Sequence, residues 1–305
     1  MPTWIKPTTL LTAVLLSPVS GWGQPENIEY RGGEEWTCLL DKELSHFDTW
    51  LGVPHTSVEG LPEGTPRSND FRSGTPLGLN RDPTRVFSVI EEKDDLVLRV
   101  SGEIYGSLIT KEEYGNYHLS MLKKWGDKKW PPRLQMPYNS GILYHSHGEH
   151  GAAAQSWMAS LEFQGAEGSK GSLITVGGTT SPYVRGHRIP DANINFAQYD
   201  PSSEEHLRVR GLARGASYTS KPHGEWNKID LYTFGNNSVH VVNGQVVLVL
   251  EDTIKTNDGT PLEQGRIQFQ SEGAECFFKE IKISPFVGLP PEIKEQIKFG
   301  FKAAE

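Results

Sequence analysis

Glu162, Gln164 and Glu167 close an alternating apolar run, SWMASLEFQGAE, and a knot of imidazoles and acid, His145, His147, Glu149 and His150, lies just before it. A carboxylate on a polar strand face can take or give a proton, an amide can hold hydroxyl groups, and an imidazole can do either or bind a metal. Alternate side chains of a strand face opposite ways. Trp157, Ala159, Leu161 and Phe163 should therefore line one face, and Met158, Ser160, Glu162 and Gln164 the other. One face is a core and the other offers polar groups to a ligand, which makes residues 139–167 the expected functional centre.

The form E-x-Q-x-x-E resembles the E-x-D-x-x-E strand of concanavalin A-like glucanases, in which one Glu is nucleophile and the other general acid. Retaining hydrolysis needs two carboxylates about 5 Å apart. Residues i and i+5 of a strand share a face only through a bulge, and Gln164 cannot supply the intervening negative charge, so an intact double-displacement pair is not expected. The H-x-H-x-E-H spacing has two readings. His145 and His147 would share a strand face and could ligate a divalent metal, or the rings make hydrogen bonds only, with Gly148 and Gly151 placing the later residues in a loop.

Gln268 and Gln270 share a face opposite Ile267 and Phe269, and Glu272 follows. Amides and carboxylates on a concave sheet suit sugar hydroxyls, and some of the eight tryptophans can supply stacking surfaces. Trp125 and Trp130 sit in a polar stretch and are the expected platforms, while Trp226, at a strand start, could serve core or ligand.

These groups need a frame. At 305 residues, with 36% hydrophobic and 22% charged side chains, the chain suits one large β domain. Its 32 glycines and 20 prolines are scattered among short apolar runs, the mark of a turn-rich all-β protein. A formal charge of −8 excludes a nucleic-acid partner, whose phosphates need Lys and Arg. The basic cluster from Lys123 to Arg133 reads as a solvated loop.

Residues 1–23 carry Lys6, an apolar run over 10–19, and Gly21 and Gly23 at the small-residue positions of a cleavage site, which reads as a signal peptide and implies export to the periplasm or outside the cell. Its apolar core and every later run fall short of the roughly 18 apolar residues a membrane span needs. Cys38 and Cys276 are the two cysteines; they are either a disulfide joining the first and last strands or two separate thiols. Residues 24–288 are expected to form the sandwich and 289–305 a helical tail, with a helix over 292–302 behind Pro290-Pro291.

About a dozen strands are expected. They include one at 36–40, a hairpin of 85–90 and 95–100, a strand at 116–124 with Tyr117, Leu119 and Met121 on one face, and a meander over 226–250 turned by Asn243-Gly244. Residues 44–83, 126–136 and 177–201 read as loops.

Several short motifs then fall in a consistent order: GEIYG at 102–106, NYH at 116–118, KWG at 124–126, NSGILYH at 139–145, EFQ at 162–164, EWN at 225–227 and GRIQFQSEG at 265–273. Together, over about residues 36–283, they resemble the 3-keto-disaccharide hydrolase domain family. Asn139 stands where the family often has Asp, and Lys279-Glu280 where Arg-Asn is common. The resemblance implies a concanavalin A-like jelly-roll β-sandwich of two antiparallel sheets on an exported carbohydrate-processing protein.

It also implies a chemistry. A ketone at sugar C3 acidifies the C2 proton, so one base and one enolate stabiliser suffice. Glu162 is the expected base or metal ligand and His145 its acid/base partner. Gln164 and Gln270 are the expected sugar or enolate hydrogen-bonders, Lys124 the oxyanion stabiliser, and Trp125, Arg133 and Trp226 further substrate contacts. His147 and His150 are loop residues or lie behind the site, and a divalent metal is compatible with the set. The alternatives are a lectin-like sandwich that binds glycan without turnover, and a conventional glucanase that needs Glu162 and Glu167 in one cleft.

Overall fold

The computed structural model describes residues 35–169, 171–190, 196–217 and 220–297. In chain order the strands are β1 (Thr37–Cys38), β2 (Phe47–Leu51), β3 (Gly78–Leu79), β4 (Phe87–Glu92), β5 (Asp95–Val100), β6 (Gly106–Thr110), β7 (Tyr117–Lys129), β8 (Ile142–His147), β9 (Ala159–Phe163) and β10 (Leu173–Val176). They continue with β11 (Thr180–Arg188), β12 (Ala197–Tyr199), β13 (His206–Arg208), β14 (Leu212–Arg214), β15 (Asn227–Phe234), β16 (Asn237–Val242), β17 (Gln245–Lys255), β18 (Arg266–Ser271) and β19 (Ala274–Pro285). One helical turn follows, α1 (Pro291–Lys294), with Pro at its start. It is much shorter than the helix expected over 292–302, whose last five residues lie outside the described residues, as does the whole expected signal peptide.

Two sheets face one another. The outer one runs β4–β5–β19–β7–β15–β16–β17, with β1 added at the far end of β19. The inner one runs β3–β2–β6–β18–β8–β9–β10–β14–β12–β11, antiparallel except for β12 beside β14. β11 also pairs with β17, which joins the sheets along one side, and β13 adds to β11. The result is the concanavalin A-like jelly-roll sandwich, all-β as expected.

Alternation decides which side chains fill the space between the sheets. Ile142, Tyr144, Leu161, Phe163 and Phe269 of the inner sheet and Leu119, Met121 and Phe278 of the outer are at most 2% exposed. The Phe269 ring stands edge-on to Phe47, 5.9 Å away, and to Phe278 of the opposite sheet, 5.3 Å away. Each such side chain contributes about 1.5–3 kcal/mol on burial, so a one-residue slip of β9 that turned Leu161 and Phe163 outward would be heavily penalised. The same constraint turns Glu162 to the other face of the inner sheet.

The hairpin of β4 and β5 and the meander of β15 to β17 form as expected, the latter turning on Asn243 (φ 50°) and Gly244 (φ 79°), the left-handed pair a tight hairpin needs. Three segments read as loops contain strands. β2 lies within 44–83, β7 continues through 126–129, and β11 and β12 fall within 177–201. Their strand state comes from distant partners, β6, β19 and β17 among them, rather than from a local apolar period.

The first and last strands are neighbours, yet no disulfide forms. Cys38 lies opposite Lys282, and Cys276 sits six residues further back along β19, roughly 20 Å at about 3.3 Å per residue. Both thiols are free, Cys38 exposed and Cys276 buried.

Candidate active site

Glu162 on β9 lies between Leu143 of β8 and Ile174 of β10, on the face of the inner sheet turned away from the core. Its side chain folds over Gly141, where any added Cβ would overlap the Glu162 carboxylate. The Gly141 N–H donates to Gln270 Oε1 at 2.7 Å, which fixes the start of β8 against β18. β18 ends in a turn through Gly273 (φ 75°) that lifts Glu272 toward the same place.

Arg133, from the loop after β7, binds the Glu272 carboxylate through Nη2 and donates through Nε to the Tyr105 hydroxyl at 3.2 Å. The Tyr105 ring lies 4.5 Å from Phe71 and 5.8 Å from Trp157, whose indole N–H donates to the Gly106 carbonyl at 2.9 Å. Leu143, Ala153 and Val176 pack with these rings into a small apolar cluster, separate from the core, that walls one side of the site.

Two buried carboxylates therefore act on one another. Glu162 is 3% exposed, and its Oε1 is buried without a hydrogen-bond partner. Burial first and the neighbouring Glu272 second push the Glu162 carboxyl up to about 8, with Lys123 and Arg133 pulling the other way. Glu272 is also raised by burial, opposed chiefly by Arg133 and then by Asn139. Two acids at close quarters cannot both ionise freely, and the one without a bound guanidinium keeps the proton. That one is Glu162, pushed up to about 8, while Arg133 lies against Glu272. A Gly141→Ala variant is expected to remain folded and to lose activity by about tenfold or more, because the new methyl displaces the Glu162 carboxylate from its place; steady-state kinetics beside a thermal melt checks both halves.

The expected residues divide sharply. Glu162, Gln270 and Arg133 come together, and Gln164 lies on the Glu162 face, its Oε1 accepting the Ala166 N–H at 2.9 Å and ordering the turn that follows. His145 does not join them. A bulge between Tyr144 and His147, with His145 at φ 48°, turns the ring to the core side, where it lies 5.3 Å from Tyr144 and 6.1 Å from Tyr117. Burial pulls it down to about 3, so it is neutral and removed from the Glu162 face as an acid/base partner. The same bulge separates it from His147, which bonds its own chain at the His145 carbonyl (2.9 Å) and Thr179 Oγ1 (3.2 Å), so the two rings do not share a ligand position.

Lys124 and Trp226 lie on the outward face of the outer sheet, across the whole sandwich from Glu162. The Lys124 ammonium sits 4.6 Å from the Trp226 ring centre and pairs with Glu92 at 3.2 Å. Neither the oxyanion role of Lys124 nor the substrate role of Trp226 fits that placement. Trp125 is 4% exposed, wedged between Lys123 and Tyr138, and is core rather than sugar platform. Trp130 is tied to the Ser101 carbonyl at 2.9 Å. Glu167 is bound to His223 at 2.9 Å on the rim and is not among the charges acting on Glu162, so the partner carboxylate is Glu272 and not the one a glucanase pattern would supply.

Tyr105, Asn139 and Lys123 were given no role by the residue pattern, and Glu272 was placed with the sugar-facing amides but not as the partner of Glu162. Glu272 did leave a signal, since it extends the 268, 270 series that the strand period places on one face. Among the described residues no three His, Cys, Asp or Glu side chains gather into a metal-sized group. Glu162, Glu272 and Asn139, whose Oδ1 is buried and unpartnered, are the oxygen donors that could meet a cation, and Arg133 already gives Glu272 one.

A jelly-roll sandwich with buried carboxylates, amides, a guanidinium and aromatic rings on its inner sheet is a carbohydrate-active domain in its architecture. The chain belongs to the family of 3-keto-alpha-glucoside-1,2-lyase-like domains, whose model matches residues 36–284. No curated protein sequence matches it. Solved structures similar to it include a candidate glycosyl hydrolase from Parabacteroides distasonis, at 17% identity and TM-score 0.45, with 82% of this chain and 99% of that one covered. Domain 4 of the extracellular arabinanase AbnA from Geobacillus stearothermophilus, in complex with arabinotriose, aligns at 11% identity and TM-score 0.38, covering 82% and 88%. Among the described residues no helix is long and apolar enough to cross a membrane.

Proposed function

We propose that the protein is an exported enzyme that cleaves 3-keto glycosides, disaccharides among them, by base-catalysed elimination at C2 followed by hydration. The observation that carries this reading is the Glu162 carboxylate, buried with one oxygen unpartnered, on the inner sheet of a member of this family. The ionised Glu162 removes the C2 proton; the enolate that forms on the C3 oxygen expels the C1 substituent with its bonding electrons, and the departing oxygen takes up a proton. Water then adds across the C1–C2 double bond.

Arg133 is the guanidinium beside the pair and takes the enolate-stabilising role that Lys124 is too far away to fill. Gln270 and Gln164 orient the ring, and Tyr105, Phe71 and Trp157 exclude water on the apolar side. A carboxyl raised to about 8 is a stronger base than an ordinary one but is ionised in only a minor fraction at pH 7.

The test is product analysis on paired 3-keto and unoxidised disaccharides, with kcat/KM followed against pH. The keto sugar alone should be cleaved, with kcat/KM rising with pH and levelling above about 8. Binding of intact glycan without turnover would make the domain a lectin, and a rate falling through that pH would make Glu162 the acid instead of the base.

A further inference from the structure

Under the inner sheet, behind Glu162, lies an ammonium group that a sandwich core does not ordinarily hold. Lys123 reaches across from β7 of the outer sheet and is 2% exposed. Its Nζ donates to the Ser140 carbonyl and, at 3.4 Å, to the Gly165 carbonyl, while its charge sits 4.0 Å from the Trp125 ring centre and 5.6 Å from that of Phe278. Those carbonyls belong to the two segments that frame the site, one leading into Gly141 and β8, the other leaving β9 just past Gln164. Gly165 is what lets the ammonium in, since a Cβ there would overlap both Lys123 Nζ and the Ser140 carbonyl.

Burying an ammonium group in a sandwich core is costly, and carbonyls and aromatic faces offset that cost. An uncharged side chain of similar length would fill the same space at lower cost, so packing alone does not account for the choice. Its charge does reach something. Lys123 is one of the two cations that act on Glu162, the other being Arg133, which is already bound to Glu272. Glu272 acts on Glu162 in the opposite sense, Arg72 acts on Glu272, and on its own side of the sheet Lys123 acts on the buried Cys276 thiol, on which Glu275 also acts.

We infer that Lys123 is a positioning residue for the reaction: from the opposite sheet it ties the two segments that frame Glu162 and supplies the positive charge that lets Glu162 serve as a base. This rests on the assignment of Glu162 as the base of the proposed elimination. Without that charge less would oppose the burial and the Glu272 carboxylate that hold the proton on Glu162, and Glu162 would keep it to higher pH.

The experiment is a carbon-13 NMR titration of side-chain carboxyls in the full chain, with the Glu162 resonance identified by its loss in Glu162→Gln. In Lys123→Met the Glu162 midpoint should move up by roughly one pH unit, and the rising limb of kcat/KM on a 3-keto disaccharide should move with it. Lys123→Gln keeps a hydrogen-bond donor for the Ser140 and Gly165 carbonyls but removes the charge, and should move the midpoint in the same direction; it carries the test if Lys123→Met does not fold. A variant that folds with a lower melting temperature and an unmoved midpoint would reduce Lys123 to a structural strut and overturn the inference. If the parent protein leaves every 3-keto sugar intact, the proposed reaction fails, while the midpoint comparison still decides what Lys123 does.

Discussion

Glu162→Gln should abolish turnover and at the same time raise the melting temperature. The carboxyl that titrates near 8 in the folded chain starts from an ordinary value of 4.5. Between those two pH values the folded state binds a proton that the unfolded state has released. The stability this group allows is therefore fully present below about pH 4.5 and is lost as the pH rises through 8. Glutamine occupies the same space without ever ionising and escapes the loss.

The gain should be small at pH 5 and reach the order of a few kcal/mol by pH 8, since one unit of displacement is about 1.4 kcal/mol and the group is almost wholly buried. At this size of domain that is several degrees. Melts of parent and variant at pH 5 and pH 8, with activity measured on the same samples, check both halves. A variant less stable than the parent at pH 8 would show that the carboxylate holds the structure together instead of straining it, and near-normal turnover would remove Glu162 from the chemistry.

Arg133→Met is expected to act in the opposite sense on stability and in the same sense on activity. The guanidinium is what opposes burial at Glu272, a side chain 7% exposed, and it also anchors the Tyr105 hydroxyl. Taking one partner from a buried pair typically costs about 3–5 kcal/mol, because the other is left charged or must take a proton. Losing the cation beside a developing enolate costs a further 100-fold or so in kcat. Urea melts and single-turnover rates separate the two effects. Arg133→Lys should recover part of the stability but little of the rate, since an ammonium cannot hold Glu272 and Tyr105 through separate nitrogens. A fully active Arg133→Met would take Arg133 out of the site.

What could be read from the sequence follows from what is local. The strand period over 157–164 put Glu162 and Gln164 on the face opposite Leu161 and Phe163, and burial in the sandwich enforces that same division. The period also held on β7, and the role expected of Lys124 ran against it by one residue of parity. On β7 it is Lys123, not Lys124, that shares a face with Tyr117, Leu119 and Met121, so the lysine one position later points to the outside of the protein. Trp125 shares the Lys123 face and is core for the same reason.

The bulge after Tyr144 is a second parity error, and it sends His145 inward. Nothing in HSH shows an extra residue in the ladder. The pairing of Glu162 with Glu272 was less accessible still, because it depends on β18 lying beside β8, a contact between segments more than 100 residues apart, with β8 in turn beside β9. The family resemblance fixed the architecture, while the order of the short motifs said nothing of which carboxylate would act on which.

The joining of β11 to β17 has a consequence for how the molecule behaves in company. A sandwich of two separate sheets would present four unpaired backbone rims, each a template on which another chain could add a strand. Here one side is stitched shut, and the ends that remain are poor templates. β3 is two residues long, and β4 carries Glu91 and Glu92, with Lys42 bridged to Glu91 alongside. Short and charged rims resist edge-to-edge growth. The protein should therefore stay unaggregated at high concentration, even though its described residues are mostly strands and their connections.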